Sequence, residues 1–362
     1  MIKIDSINFS VDNVDRWVEK SLRNEPFVRW GLDNMEVERL YWYTDFSPIH
    51  NACIRSKVDN AAGQGFVNDY KINNKEYIND VIKQMFWEFI VTGNLFLEIV
   101  WKKDRREGIS GFHVIPSKFM RAKQPKDAEL YSDCWLYCHD WALYKKAGMV
   151  ELKEFDPQAY EDRQIVHIKQ YQPGYIFYGS PDYSASLLDI RLSRAISEHN
   201  LHNIYNGASP SLWVHLPETA PDSQNEQENI LRRMEERYVG AKNAGRIILS
   251  WGGPDNQKPE ITQISQNLQA GMFQEIFALV RENILAGHKI PDPSLIGLPS
   301  PTGFSSQAEQ LTTAQKLFMS TTIRPLQQFI VRELEPILQL MYPGQQIDLT
   351  IKQNVLLEPD EL

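Results

Sequence analysis

Cysteine is scarce: Cys53, Cys134 and Cys138 are the only three in 362 residues. An odd number cannot all pair within one chain, so a reducing compartment, or a fold indifferent to redox, is expected. A basic excess is also missing, because 38 Lys and Arg stand against 47 Asp and Glu for a net charge of −9. That balance disfavours a tight, sequence-reading nucleic-acid binder, which needs cations to neutralise phosphates. The most apolar stretch, Met85 to Trp101, is broken by Glu88, Asn94 and Glu98. It falls short of the ~20 residues of a membrane span. The opening MIKIDSINFS has neither the basic start nor the apolar centre of a signal peptide, so a soluble, cytoplasmic-type protein with no membrane partner is expected.

Catalytic and ligand motifs are equally sparse. Gly63-Gln64-Gly65 lacks the lysine of a phosphate loop and the third glycine of a dinucleotide fingerprint, and reads as a helix-ending turn. Cys134-x-x-x-Cys138-His139 has too few companions for a four-ligand zinc site, so core cysteines are expected. Glu198-His199 with His202 lacks the i, i+4 histidine spacing of a metalloprotease helix. No serine occupies a nucleophile elbow, and no acidic pair stands out from the surface charge. Lys102, Lys103, Arg105 and Arg106 lie between two predicted strands and read as a solvated hairpin tip. The sequence therefore offers no case for catalysis, a cofactor or a metal.

What is present is an ordinary globular composition, 42% hydrophobic and 23% charged, with length for about two domains. The first half reads as α+β. Residues 1 to 45 look helical, with Trp17, Val18 and Leu22 on one face, and helices follow over Ile49–Ala62 and Glu76–Ile90. Asn94–Trp101 reads as a strand with Phe112–Ile115 as its hairpin partner. Shorter strand-like pieces are Cys134–Cys138, Trp141–Tyr144, Val150–Leu152 and Ile165–Ile168.

After Gly179-Ser180-Pro181 the pattern changes. A helix without Gly or Pro is predicted from Tyr183 to Tyr205. Leu188, Leu192, Ala195 and Ile196 stripe one face, while Leu187, Ile190, Leu201 and Ile204 extend the apolar surface round it. That is more than one core can cover, and it points to a helix packed on several neighbours, within this chain or in other subunits. A small unit follows over 211–262: a strand (Leu212–Leu216), a charged helix (Ser223–Ala241) and a strand (Arg246–Trp251). A second long helix returns over Leu268–Leu285. Pro291 to Ser305, with prolines at 291, 293, 299 and 301, is expected to be a functional loop rather than helix. The last helix opens on a capping box, Ser306-Gln307-Ala308-Glu309, and should kink at Pro325. Ile347–Ile351 alternates and should be a strand closing back on the first half.

The run His167 to Tyr183 (HIKQYQPGYIFYGSPDY), its following helix and the end Tyr205-Asn206-Gly207-Ala208 closely resemble the central signature of tailed-bacteriophage portal proteins, the PBSX-type family in particular. Thr92-Gly93-Asn94 through Glu98 resembles the Gly-Asn strand entry of that family. Gly287 through Gly297, followed by the capped helix with Arg324-Pro325, resembles its loop and kinked helix. Two places depart: Ser209-Pro210-Ser211 stands where members often read His-Ala-Gly, and Ile290-Pro291-Asp292-Pro293 where they tend to read Val-Pro-Pro.

The resemblance implies a portal-type α+β fold: an α/β wing over 1–180 with a C-terminal strand at 343–355, and stem helices at 181–207 and 263–290. A small α/β clip at 208–262 would sit between the stem helices. A tunnel loop at 291–305, a long kinked wing or crown helix at 306–342 and a tail at 356–362 would complete the chain. The implied function is a homo-oligomeric ring, commonly of about twelve subunits, at one capsid vertex. Double-stranded DNA would pass through its channel without being read. Terminase large subunit and then a tail adaptor or connector would dock on it, beside major capsid and scaffold proteins, in a virion assembled in the bacterial cytoplasm. Leu188, Leu192, Ile196 and Ile204 would then form the stem interface. Asp292, Ser294, Leu298, Ser300, Thr302 and Ser305 would face DNA. Glu228, Arg232, Arg233, Glu236 and Arg237 would dock partners on the clip. Another virion or prophage head–tail structural protein, or an enzyme with a diffuse site, stand as alternatives at this point.

Overall fold

A computed structural model describes residues 19–22, 24–125, 132–159, 161–205, 211–216, 247–251, 260–264, 270–299 and 307–354, with single positions 223, 225, 229 and 230. The chain divides into two compact units, Met1–Ile190 with Glu282–Leu362, and Arg191–Arg281.

The larger unit opens with an antiparallel pair, β1 (Glu19–Ser21) and β2 (Val28–Trp30), and then helix α1 (Glu36–Phe46). The single N-terminal helix expected over residues 1–45 is thereby corrected. The helical spacing of its apolar residues was broken by Pro26 and Gly31, and Gly31 adopts φ +83°. Trp17 and Val18 lie outside the described residues.

Helix α2 (Pro48–Ala62) starts on Ser47, whose hydroxyl accepts from the His50 amide, and has proline in its first turn, where no amide hydrogen is needed. Helix α3 (Ile78–Thr92) stops at Gly93, which takes the left-handed φ of +71°. The chain turns there directly into β3 (Asn94–Trp101), which is buried along nearly its whole length, as a central strand must be.

Strand β4 (Ile109–Ile115) returns antiparallel to β3, and the basic cluster sits in the turn between them as expected. β5 (Met120–Ala122), β6 (Cys134–Tyr137), the one-turn helix α4 (Tyr144–Ala147), β7 (Val150–Glu154) and β8 (Arg163–Lys169) complete a six-stranded sheet, ordered β4-β3-β8-β7-β6-β5. Trp141–Tyr144 is not a strand. Asp140 caps this segment by accepting from the Ala142 and Leu143 amides, which diverts it into the helical turn. Phe96, Trp135, Leu152, Ile165 and Tyr178 are buried together in the sheet core.

Helix α5 (Leu187–Tyr205) begins in the larger unit after a 3-10 turn at Asp182–Ser186 and runs into the second unit. That unit holds a three-stranded sheet of β9 (Ser211–Leu216), β10 (Ile247–Trp251) and β11 (Glu260–Ile264), ordered β10-β9-β11. The middle strand pairs parallel with β10 and antiparallel with β11. β11 went unnoticed in the sequence. The charged helix expected at 223–241 lies almost wholly outside the described residues. Helix α6 (Ala270–Gly287) brings the chain back.

Pro291 to Ser305 contains a helical piece after all, a 3-10 turn at Pro293–Ile296. The Asp292 side chain accepts from the Ser294 amide at 2.8 Å, so the prolines here start a turn instead of breaking one. Helices α7 (Gln307–Phe318) and α8 (Arg324–Met341) are joined by a π-helical turn, Met319–Ile323. The turn ends two residues before Pro325, which has no amide hydrogen to give to the helix. Ile347–Ile351 forms a single bridge, Ile351 to Phe66, rather than a full strand, extended by the bond from the Lys352 amide to the Gly65 carbonyl.

Candidate functional site

Three short segments far apart in sequence converge in the larger unit: Thr92-Gly93-Asn94, Gln170 with Gly179 to Tyr183, and Gly287-His288-Lys289. Asn94, fully buried, is the hub. Its carboxamide oxygen accepts from the Gly179 amide at 2.7 Å and lies 2.8 Å from His167 Nε2. Its amide group donates to the Gly179 carbonyl at 3.0 Å and the Thr92 carbonyl at 2.7 Å. Asn94 thus clamps both backbone groups of Gly179. The glycines are required by closeness, since a Cβ on Gly179 would stand 2.1 Å from the Gly93 carbonyl oxygen.

His167 stacks on Phe96 with centroids 4.4 Å apart. Burial, and then the Lys169 charge, hold its pKa well below the usual imidazole value, so it serves as a neutral partner to Asn94.

The clamp delivers Tyr183 to the foot of α5. Its hydroxyl donates to the Val91 carbonyl, and its ring packs on His50 and His288 at 4.6 and 4.7 Å. Next to it, Ser186 Oγ donates to the Asn283 carbonyl at 2.9 Å, and Asn283 Nδ2 donates to Asp189 at 3.0 Å. Gly287 lets this contact form, because a Cβ there would meet Ser186 Oγ at 2.1 Å. The start of α5 and the end of α6 are therefore fastened side by side on α2 and α3. The arrangement is mechanical: it sets where two long helices leave the body.

The expected site residues fall into three groups. On α5, Leu188 is 62% exposed and Leu192 38%, while Ile196 is only 6% exposed. Ile196 is thus largely covered within the single chain. The amphipathic repeat could not tell an intramolecular neighbour from a second subunit. Ile204 belongs to α5, but its side chain lies outside the described residues. In the loop, Asp292 is buried and engaged with Ser294 and with Gln310 Nε2 at 3.3 Å, so it acts as a cap rather than an open acid. Leu298 is half-buried, its amide donating to the Pro293 carbonyl, and Leu295 is tied to α2 by Ser56 Oγ at 3.0 Å. Ser300, Thr302 and Ser305 lie outside the described residues, as do Glu228, Arg232, Arg233, Glu236 and Arg237 on the clip.

Cys134 and Cys138 are buried in the body, with burial raising the Cys134 thiol to about 12. Among the described residues no group of His, Cys, Asp and Glu is placed to hold a metal, and no helix is long and apolar enough to cross a membrane. The side chains of His199 and His202 lie outside the described residues. Sequence reasoning singled out neither His50 nor Lys57. Each is one of several polar residues on α2, and only its remote partner gives it meaning.

The larger unit roots the start of one long helix and the end of another, and the smaller unit holds a three-stranded sheet. The structure matches a chain from the virion of a native gene transfer agent particle with TM-score 0.58 and 20% identity, covering 86% of this chain and 82% of that one. A chain from the neck of that particle, solved with C12 symmetry, gives TM-score 0.55 at 20% identity over 86% and 80%. The phage portal protein family model matches residues 69–361. The chain belongs to the phage portal protein family. A probable portal protein of Haemophilus phage HP1 (strain HP1c1) is 25% identical over 177 residues, 48% of this chain and 49% of that protein. An uncharacterized protein of Rickettsia bellii (strain RML369-C) is 28% identical over 167 residues, 46% and 42% respectively. The chain thus spans under half the length of each of these curated relatives.

Proposed function

We propose that this chain is a PBSX-type portal subunit, a structural protein without catalysis of its own. It assembles into a ring at one capsid vertex that conducts double-stranded DNA during packaging and ejection. The observation that carries this reading is the family match over 69–361 combined with apolar side chains that the single chain leaves bare. Leu188, Leu192 and Leu201 on α5, and Phe277 and Leu279 on α6, are all more than a third exposed. Desolvating such surface is worth roughly 25 cal/mol per Å², and a neighbouring copy supplies the cover. A ring of twelve is consistent with the C12 symmetry named for the gene transfer agent neck.

In this reading 1–180 and 343–355 form the wing, 181–207 and 263–290 the stem, 208–262 the clip, and 306–342 the wing or crown helix, followed by a tail at 356–362. The clip docks terminase large subunit and later the tail adaptor through Glu228, Arg232, Arg233, Glu236 and Arg237, a mixed-charge set suited to exchangeable contacts. Since Asp292, Ser294 and Leu298 are held in the body, the DNA-facing part of the loop is centred on Ser300, Thr302 and Ser305. It carries no cation and meets DNA sterically. The acidic balance favours sliding over gripping. Major capsid and scaffold proteins surround the ring in the virion, which assembles in the bacterial cytoplasm.

Electron microscopy of the purified protein tests the reading: rings with a central channel support it, and a monodisperse monomer at all concentrations refutes it. Deleting part of Leu298–Gly303 is expected to leave rings intact while impairing DNA packaging or retention. Charge reversal at Arg232 and Arg233 is expected to reduce packaging without loss of rings.

A further inference from the structure

Beside the α5 anchor lies a cleft of about 310 Å³, near the lower end of small-ligand pockets. Two ammonium groups share one carboxylate there. Lys57 Nζ lies 3.6 Å and Lys289 Nζ 3.3 Å from the same oxygen, Asp182 Oδ2. The other Asp182 oxygen accepts from Gln170 Nε2 at 3.1 Å. Asp182 is therefore shared among three donor groups, and the cleft holds two cationic side chains against one carboxylate.

Lys57 is the unusual member. Its side chain is 3% exposed, yet among the described residues its three donors meet one carboxylate, at 3.6 Å and beyond normal hydrogen-bond length. A buried ammonium is expensive unless it is paired and hydrogen-bonded. Lys289 stands out on different grounds. It holds a left-handed backbone, φ +57°, that glycine would adopt with less strain. A lysine kept in that conformation turns a second cation into the cleft. Burial and the Lys57 charge keep His50 and His288 neutral, so they add no charge to the cleft. Thr321 and Thr322, from the π turn, also line the cleft, their hydroxyls donating to the Leu317 and Lys289 carbonyls.

We propose that this cleft binds a phosphate-class oxyanion, bridged between the Lys57 and Lys289 ammonium groups. Compact ammonium charges converging from different elements suit a tetrahedral anion, which accepts from several directions at once. The anion satisfies the idle Lys57 donors and cancels the excess charge. Because α2, the loop before α5, the turn after α6 and the π turn all border it, the bound anion staples the body at the root of both long helices.

The test is calorimetric titration of the full chain with inorganic phosphate at constant ionic strength, alongside thermal melts. Saturable binding is expected, weakened about tenfold in K57M and measurably in K289Q. K289Q alters a half-exposed side chain and keeps the test open should K57M fold poorly. D182N, which removes the competing carboxylate, is expected to tighten binding, an effect a purely structural role for these residues would not produce. A parallel titration with a short double-stranded oligodeoxynucleotide separates the sources. Displacement of phosphate from the cleft assigns a phosphodiester, and no displacement assigns the free anion. Absence of saturable phosphate binding, or binding equal in wild type, K57M and K289Q, overturns the proposal.

Discussion

His50 and His288, 238 residues apart in sequence, meet ring to ring with His50 Nδ1 2.8 Å from His288 Nε2. One proton serves that bond, and the outer nitrogens, His50 Nε2 and His288 Nδ1, are buried with no hydrogen-bond partner among the described residues. The neutral pair holds one further proton on an outer nitrogen, so a third proton would place a charge in an apolar site next to Lys57. Burial first, then the Lys57 charge, lowers His50 to about 3 and holds His288 well below the ordinary value.

Stability should fall on mild acidification. Unfolded imidazoles take a proton near pH 6.5, whereas folded His50 refuses one until about 3. Between those values the unfolded state binds more protons, so unfolding is favoured as pH drops and the contribution is complete above 6.5. Each such group adds a slope of up to about 1.4 kcal/mol per pH unit. Urea unfolding at pH 7, 6 and 5 should show the loss, and H288Q should flatten it. A pH-independent midpoint over that range would refute the neutral pair.

Asn94→Ala removes the clamp on Gly179 and strands buried donors and acceptors. A loss of about 3 kcal/mol or more is expected, since each orphaned buried group costs about 1–3 kcal/mol. Chemical denaturation measures it. Asn94→Asp should restore little, because a carboxylate cannot donate to the Thr92 and Gly179 carbonyls.

Gly179→Ala should destabilise by more than about 2 kcal/mol, as its methyl group would collide with the Gly93 carbonyl backbone rather than a side chain that could move. Gly148→Ala is the control. Unlike Gly179 it has a positive φ, +78°, and no atom lies within 4 Å of its Cβ, so only the backbone strain of about 1 kcal/mol is expected. Thermal melts of the two variants separate clash from strain.

Leu188→Glu and Ile196→Glu should fail in different ways. Leu188 is 62% exposed in the single chain, so its variant should fold and lose rings in native mass spectrometry. Ile196 is 6% exposed, and burying a carboxylate there should cost several kcal/mol, about 3 or more, of folding stability. Equal ring populations for Leu188→Glu and wild type would remove α5 from the subunit contact.

Local signals in the sequence were enough for the elements whose boundaries are local. Gly93 ends α3 and starts β3, Ser47-Pro48 starts α2, and the uninterrupted run to Tyr205 is helix, because caps, breakers and periodicity act over a few residues. The order of the motif blocks pointed to the family for the same reason, each block being a short run. What neighbours supply was not legible. The β1–β2 pair overrode a helical-looking pattern, and Asp292 became a buried cap although it reads as a loop acid. Ile196 turned inward while Leu188 on the same helix stayed bare. The meeting of Asn94 with Gly179, of His50 with His288, and of Lys57 with Lys289 across Asp182 depends on contacts more than eighty residues apart in sequence. Side-chain spacing carries no record of such distances, and only the packing of α2, α3 and the ends of the two long helices decides them.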